Sequence, residues 1–160
     1  MPFGTLATPV GTLGVAGDGA AITSVRWMTG PADQDVDVVV ADALRQLEAY
    51  FAGELRCFDV PFDLGEQSEP TRLVLMTLFE TVGYGDSVTY GELAARSGTD
   101  IPARGIGAIM GANPVPIIVP CHRVLASDGL GGYSGGGPGQ GLVTKRLLLE
   151  FEGALPAPLF

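Results

Sequence analysis

One histidine, two cysteines and one tryptophan are spread over 160 residues, and that scarcity removes whole classes of chemistry. A zinc site draws its ligands from Cys and His at short, regular spacings, whereas Cys57 and Cys121 stand far apart and His122 lies beside only one of them. No metal is expected. Two cysteines allow at most one disulfide, and pairing Cys121 would silence a thiol placed beside the only imidazole; a reducing, cytoplasmic setting is favoured. Cations are also few. Nine Lys and Arg face eighteen Asp and Glu, a net charge of −9, which weighs against nucleic acid because Lys and Arg supply most non-specific affinity for phosphate. The deficit is uneven, however: residues 1 to 69 hold eleven acids against Arg26, Arg45 and Arg56, while residues 70 to 160 hold seven acids against six cations. A nucleic-acid face would belong to the second half and bind modestly. Long apolar runs are missing as well. None approaches the ~20 residues of a membrane span, and no basic-then-apolar leader opens the chain, so a soluble protein away from membranes is expected.

What is present reads as two parts joined near Gly65-Glu-Gln-Ser-Glu-Pro70, with boundaries at 1–66 and 67–160, and a 46% hydrophobic content is ample for a core. The first part opens with apolar stretches Phe3 to Ala7, Thr12 to Ala16 and Ala21 to Trp27, broken by Pro9-Val-Gly11 and Gly17-Asp-Gly19; the spacing predicts a hairpin or meander. Val40, Leu44, Leu47 and Phe51 share a helical face that Gly53 stops. Phe58, Val60, Phe62 and Leu64 alternate with Asp59, Pro61 and Asp63, the pattern of a half-buried edge strand. Cys57, at its start, reads as a small structural hydrophobe. The second part is helical. Pro70 suits the first turn of a helix to about Val82, packing Leu73 and Leu78. Thr89 to Glu92 has capping-box form for a short helix ending at Gly98, and a second short helix spans about Pro102 to Gly111. Two short helices across a tight turn outline a helix-turn-helix. A last helix, about Leu142 to Glu152, lines up Val143, Leu147 and Phe151 before Gly153.

Chemistry concentrates in Asn113-Pro-Val-Pro-Ile-Ile-Val-Pro-Cys-His-Arg-Val124. Cysteine is a strong nucleophile as thiolate, and a nearby imidazole is the usual device for generating it. Neighbours in an extended strand point to opposite sides, so Cys121 and His122 can cooperate only in a bent segment or through a bridging water. Pro114, Pro116 and Pro120 favour such irregular backbone. In the helix carrying Arg104, Gly105, Gly107 and Gly111 each cost about 1 kcal/mol relative to Ala. Such a smooth surface fits either tight packing or close approach to a groove.

The Pro-Cys-His-Arg-Val core, with Thr89-Tyr90-Gly91-Glu92-Leu93-Ala94 before it, Gly132-Tyr133-Ser134-Gly135-Gly136 after it and Leu147-Leu148-Leu149-Glu150-Phe151-Glu152-Gly153 near the end, resembles the O6-alkylguanine-DNA alkyltransferases. The resemblance covers roughly residues 70 to 153. It implies an α+β fold, a small ribonuclease H-like sheet-and-helix domain followed by a mostly helical domain with a helix-turn-helix. It also implies a cofactor-free, single-turnover transfer of an alkyl group from O6-alkylguanine in DNA, with O4-alkylthymine as a second candidate lesion. In that scheme Cys121 is the nucleophile, His122 its base through a water, Glu152 the orienting acid, and Tyr90 the donor to a ring nitrogen of the flipped base. Arg104 replaces the extruded nucleotide in the stack, Asn113 braces the active-site loop, Arg123 pairs with a carboxylate, backbone at Cys121 and Val124 together with Ser134 meets the base edges, and Pro116 and Tyr133 line the pocket. The expected partner is double-stranded DNA, bound weakly and salt-sensitively by a monomer. Departures lie at Pro70 and Leu75, at Gly83-Tyr84-Gly85, and in a glycine-rich loop after Ser134 about four residues longer than usual. Two other readings stay open, a lesion-binding module without transfer and an alkyl acceptor for a small molecule or free base.

Overall fold

A computed structural model describes residues 1–155. Three antiparallel strands, β1 (Phe3–Thr8), β2 (Gly11–Gly17) and β3 (Ile22–Trp27), form a meander in the order β1-β2-β3, as the turn residues predict. Helix α1 (Val38–Phe51) lies on this sheet. Asp37 caps it by accepting from the Val40 amide at 2.8 Å, and Val40 and Leu47 are wholly buried. The segment Phe58 to Leu64 keeps its expected alternation, with Val60 and Leu64 buried and Asp59, Pro61 and Asp63 exposed. It forms no full strand. Only Phe62 bridges β3, through Ile22, whose amide donates to the Pro61 carbonyl and whose carbonyl accepts from the Asp63 amide. Pro61, which has no N–H to give a ladder, helps limit the pairing to this one bridge.

Helix α2 (Glu69–Thr81) starts where Ser68 accepts from the Thr71 amide, with Pro70 in its first turn. Strand β4 (Val88–Thr89) leads directly into α3 (Tyr90–Ser97), capped by the Thr89 hydroxyl on the Glu92 amide at 3.1 Å and closed by Gly98 in the left-handed region. Helix α4 (Ala103–Gly111) packs on α3, completing the expected helix pair. After a 3-10 turn at Cys121–Arg123, strand β5 (Val124–Leu125) pairs in parallel with β4, Val88 against Val124 and Thr89 against Leu125. That short ladder sets Tyr90, the residue after β4, beside the Cys-His-Arg turn. Helix α5 (Gly141–Phe151) closes the described chain. One buried cluster runs from Leu13 and Val15 of the sheet through Leu78 and Ile106 to Leu148.

Three side-chain expectations are corrected. Val143, Leu147 and Phe151 are exposed on α5, whose inner face instead carries Thr144, Lys145, Leu148 and Leu149. Lys145 is turned inward there because it donates to the Val124 and Gly132 carbonyls, which would otherwise be orphaned. Leu73 faces solvent, and α2 instead buries Val74 and Leu75 beside the expected Leu78. Cys57 is exposed, because it lies in the turn after α1 before the alternating segment begins.

Candidate active site

The loop carrying the cysteine is held by one asparagine. Asn113 donates from Nδ2 to the Val119 carbonyl at 2.8 Å and accepts at Oδ1 from the Val115 amide at 3.1 Å, spanning the prolines whose missing N–H groups deprive the loop of backbone bonds. Ile117 sits at φ 73°, a left-handed conformation unfavourable to a β-branched residue. The sheet supplies a further tie, Val25 N–H donating to the Pro114 carbonyl at 2.9 Å. The loop delivers Cys121 into the 3-10 turn, where successive side chains diverge by about 120°. Cys121 and His122 are both buried and aim different ways.

His122 points at Glu152. Its Nε2 lies 2.8 Å from Glu152 Oε2, and Arg123 grips the same carboxylate through Nε to Oε1 at 2.8 Å and Nη2 to Oε2 at 3.0 Å, while its Nη1 donates to the Val82 carbonyl. Burial opposes ionisation of this carboxyl, yet the bonds from His122 and Arg123 hold it down at about 2. At neutral pH Glu152 is therefore an acceptor only. His122 must donate from Nε2, which leaves the Nδ1 lone pair free to act as base. Nδ1 has no hydrogen-bond partner among the described residues. Burial pushes the imidazole below its ordinary value, against the raising effect of Glu152, so the resting ring is neutral. Burial likewise pushes the Cys121 thiol up, with the Asn113 amide, the Lys145 ammonium and the Tyr133 hydroxyl pulling it back. At neutral pH Cys121 therefore rests as a thiol.

A cavity of about 530 Å³ opens above this thiol, lined by Tyr90, Arg104, Met110, Cys121, Tyr133 and Ser134 among others. Its walls come from α3, α4 and the glycine-rich loop. Arg104 is exposed at the start of α4, and Ser134 anchors the loop to that helix by donating to the Gly111 carbonyl at 2.8 Å. Gly131 passes so close to Tyr90 that an added Cβ would lie 2.5 Å from its hydroxyl oxygen, and its φ of +74° favours glycine independently. Pro116 is buried and lines not this cavity but an adjoining one of about 270 Å³ that shares Cys121, Tyr133 and Ser134. Val124 lines neither. Its side chain is wholly buried and its carbonyl accepts from Lys145 Nζ at 2.7 Å.

Two residues of the site carry no signal in the local motifs. Lys145 is 1% exposed, donates to the Val124 and Gly132 carbonyls, and lies 5.9 Å from the Tyr90 ring centre; it joins the turn after Cys121 to the cavity-forming loop. Burial lowers its ammonium to about 8. Tyr50, from α1, donates its hydroxyl to Glu152 Oε2 at 2.6 Å across 102 positions of sequence. Only an inward polar position on each helix would have hinted at either.

The 6-O-methylguanine DNA methyltransferase ribonuclease-like domain matches residues 1–64, and the DNA binding domain of the same family matches residues 71–154. A methylated-DNA–protein-cysteine methyltransferase from Mycobacterium tuberculosis is 39% identical over 157 residues, covering 94% of this chain and 91% of its own. One from Methanosarcina acetivorans is 35% identical, covering 96% and 99%. A crystal structure of Mycobacterium tuberculosis OGT in complex with DNA superposes with a TM-score of 0.82 at 40% identity, covering 96% of this chain and 94% of that one. With both domains matched, and relatives aligned over nearly the whole length, this chain belongs to the methylated-DNA–protein-cysteine methyltransferase family.

Proposed function

We propose that this protein repairs DNA by taking the alkyl group of O6-alkylguanine irreversibly onto Cys121. The observation that carries the reading is a buried thiol at the floor of a cavity, with a neutral imidazole behind it whose outer nitrogen is already committed to a carboxylate. The guanine, swung out of the duplex, enters between α4 and the Tyr133-Ser134 loop. Cys121 Sγ attacks the alkyl carbon in line with O6; the new S–C bond forms as the O6–C bond breaks. The thiol proton passes through a water to His122 Nδ1, and Glu152 steadies the resulting imidazolium. Tyr90, at the cavity wall, donates to a ring nitrogen and offsets the charge on the departing guanine. Arg104, exposed at the cavity mouth, fills the stack left by the extruded base.

Asn113 acts at one remove by fixing the loop, and Tyr133 and Pro116 bound the space for the alkyl group. Val124 would meet the base through its backbone only, its side chain being wholly buried and its carbonyl already accepting from Lys145. A thioether is a stable bond, so in this reading the protein is consumed as a monomer, one molecule per lesion. Titrating increasing protein against a duplex containing O6-methylguanine tests this. Repair should rise linearly and break at one equivalent, whereas continued turnover at substoichiometric protein would overturn the single-use reading. An O4-methylthymine duplex run alongside reports whether the cavity accepts the second lesion.

A further inference from the structure

The acid of the site is held partly by the other half of the chain. Glu152 Oε2 receives His122 Nε2 at 2.8 Å, Arg123 Nη2 at 3.0 Å and the Tyr50 hydroxyl at 2.6 Å. Tyr50 is fully buried in α1. Its ring is fixed by Phe51, Phe58, Tyr84 and Phe151, with centroids 4.9 to 6.1 Å away, so the hydroxyl cannot swing to another partner without dismantling an aromatic cluster. A phenol beside an ionised carboxylate can only donate. It occupies a lone pair of the oxygen that His122 also uses, and a carboxylate that receives one more donor is a weaker acceptor for the imidazole.

We infer that Tyr50 is a positioning residue for the transfer step, acting through Glu152: its hydroxyl sets the acceptor strength of the carboxylate and, through it, the basicity of His122. This rests on the alkyl-transfer reading for its kinetic consequence, but not for its effect on the imidazole. Other groups face the same cluster: Arg123 in the 3-10 turn, Lys145 on α5, Tyr84 after α2, and Cys121 and Tyr133 on the cavity side. None of them shares Oε2 except Arg123, which is also bound to Oε1 and to the Val82 carbonyl. Arg123 fixes where the carboxylate sits. Tyr50 adjusts how strongly it pulls.

The test uses Tyr50→Phe in the full chain, which deletes one oxygen and keeps the ring. His122 is the only histidine, so its imidazole resonances are unambiguous in NMR of the free protein. In Tyr50→Phe the titration midpoint of His122 should move up. Because transfer needs the neutral ring, the acid limb of the transfer-rate profile should move to higher pH with it. Above that limb the plateau rate should not fall, because a more basic imidazole is at least as strong a general base and Arg123 still fixes the carboxylate; duplex affinity should be unchanged. An unmoved midpoint and unmoved acid limb would overturn the inference and leave the hydroxyl a packing group. In the unaltered protein, the Tyr50 hydroxyl proton should resonate far downfield and exchange slowly; its absence would overturn the inference even if the variant failed to fold. A protein that transfers no alkyl group yet shows the midpoint shift would sink the proposed function and leave the link from Tyr50 to His122 standing.

Discussion

At the residue scale, the geometry separates two duties that a cysteine–histidine site could have merged. Cys121 is kept as a thiol by burial, and His122 is kept neutral by burial while Glu152 waits as its anionic support. In the proposed transfer, the cost of deprotonation is thus deferred until substrate fills the cavity. Glu152→Gln removes the anion that stabilises the imidazolium; transfer should slow by ~10²–10⁴-fold, the usual span of a general-base contribution, with duplex affinity retained, and single-turnover kinetics beside a binding titration measures both. The same carboxylate makes a pH prediction. Its folded pKa is depressed from 4.5 to about 2, so the unfolded chain binds the proton first on acidification, and the stability it contributes is present above 4.5 and lost as pH falls toward about 2. His122, also depressed, contributes in the same direction as pH falls below its ordinary value of 6.5. Melting temperature followed downward from neutral pH should fall through both windows, and the lower window should flatten in Glu152→Gln.

At the scale of elements, α4 and the loop facing it decide what reaches the thiol. Arg104→Ala should impair repair of a duplex lesion far more than reaction with free O6-benzylguanine, since only the duplex demands extrusion, and the penalty should shrink on a single strand. Equal losses on all three substrates would assign Arg104 to folding. Gly131→Ala combines a strained φ with a Cβ 2.5 Å from the Tyr90 hydroxyl oxygen; the tyrosine must shift, and transfer should fall with stability reduced by about 1 kcal/mol, read from chemical denaturation and rate together. Elements marked by local chemistry were legible in the sequence: the Thr89 cap, the Gly98 stop and the proline-broken loop each stand where backbone requirements put them. Cys121, Tyr90, Arg104, Tyr133 and Ser134 all line one cavity. The inner face of α5 was not legible, because hydrophobicity favours Val143, Leu147 and Phe151 while the fold needs Lys145 and Glu152 inside to satisfy buried carbonyls and cations. Tyr50 was hidden for a different reason. Its partner lies 102 residues away, and no local pattern announces a contact at that separation.

At the scale of the whole molecule, acidity and DNA repair have to be reconciled. The second half holds six cations, but Arg123 and Lys145 are buried in the site, which leaves Arg72, Arg96, Arg104 and Arg146 on the surface. Affinity for duplex should therefore fall with salt at a shallow slope, about 0.9 per phosphate contact and only a few contacts in all; fluorescence anisotropy across a salt series measures it, and a steep slope would point to a cationic surface that these four arginines cannot form. Neither half is independent of the other: the sheet holds the Pro114 carbonyl, and α1 holds Glu152. The central claim is that one buried thiol, of the two cysteines, receives the alkyl group and keeps it. Intact-mass analysis after incubation with an O6-methylguanine duplex, followed by peptide mapping, examines that claim directly. The protein should gain one methyl group, carried by Cys121 and never by the exposed Cys57; a label on Cys57, or an unmodified protein alongside repaired DNA, would contradict it.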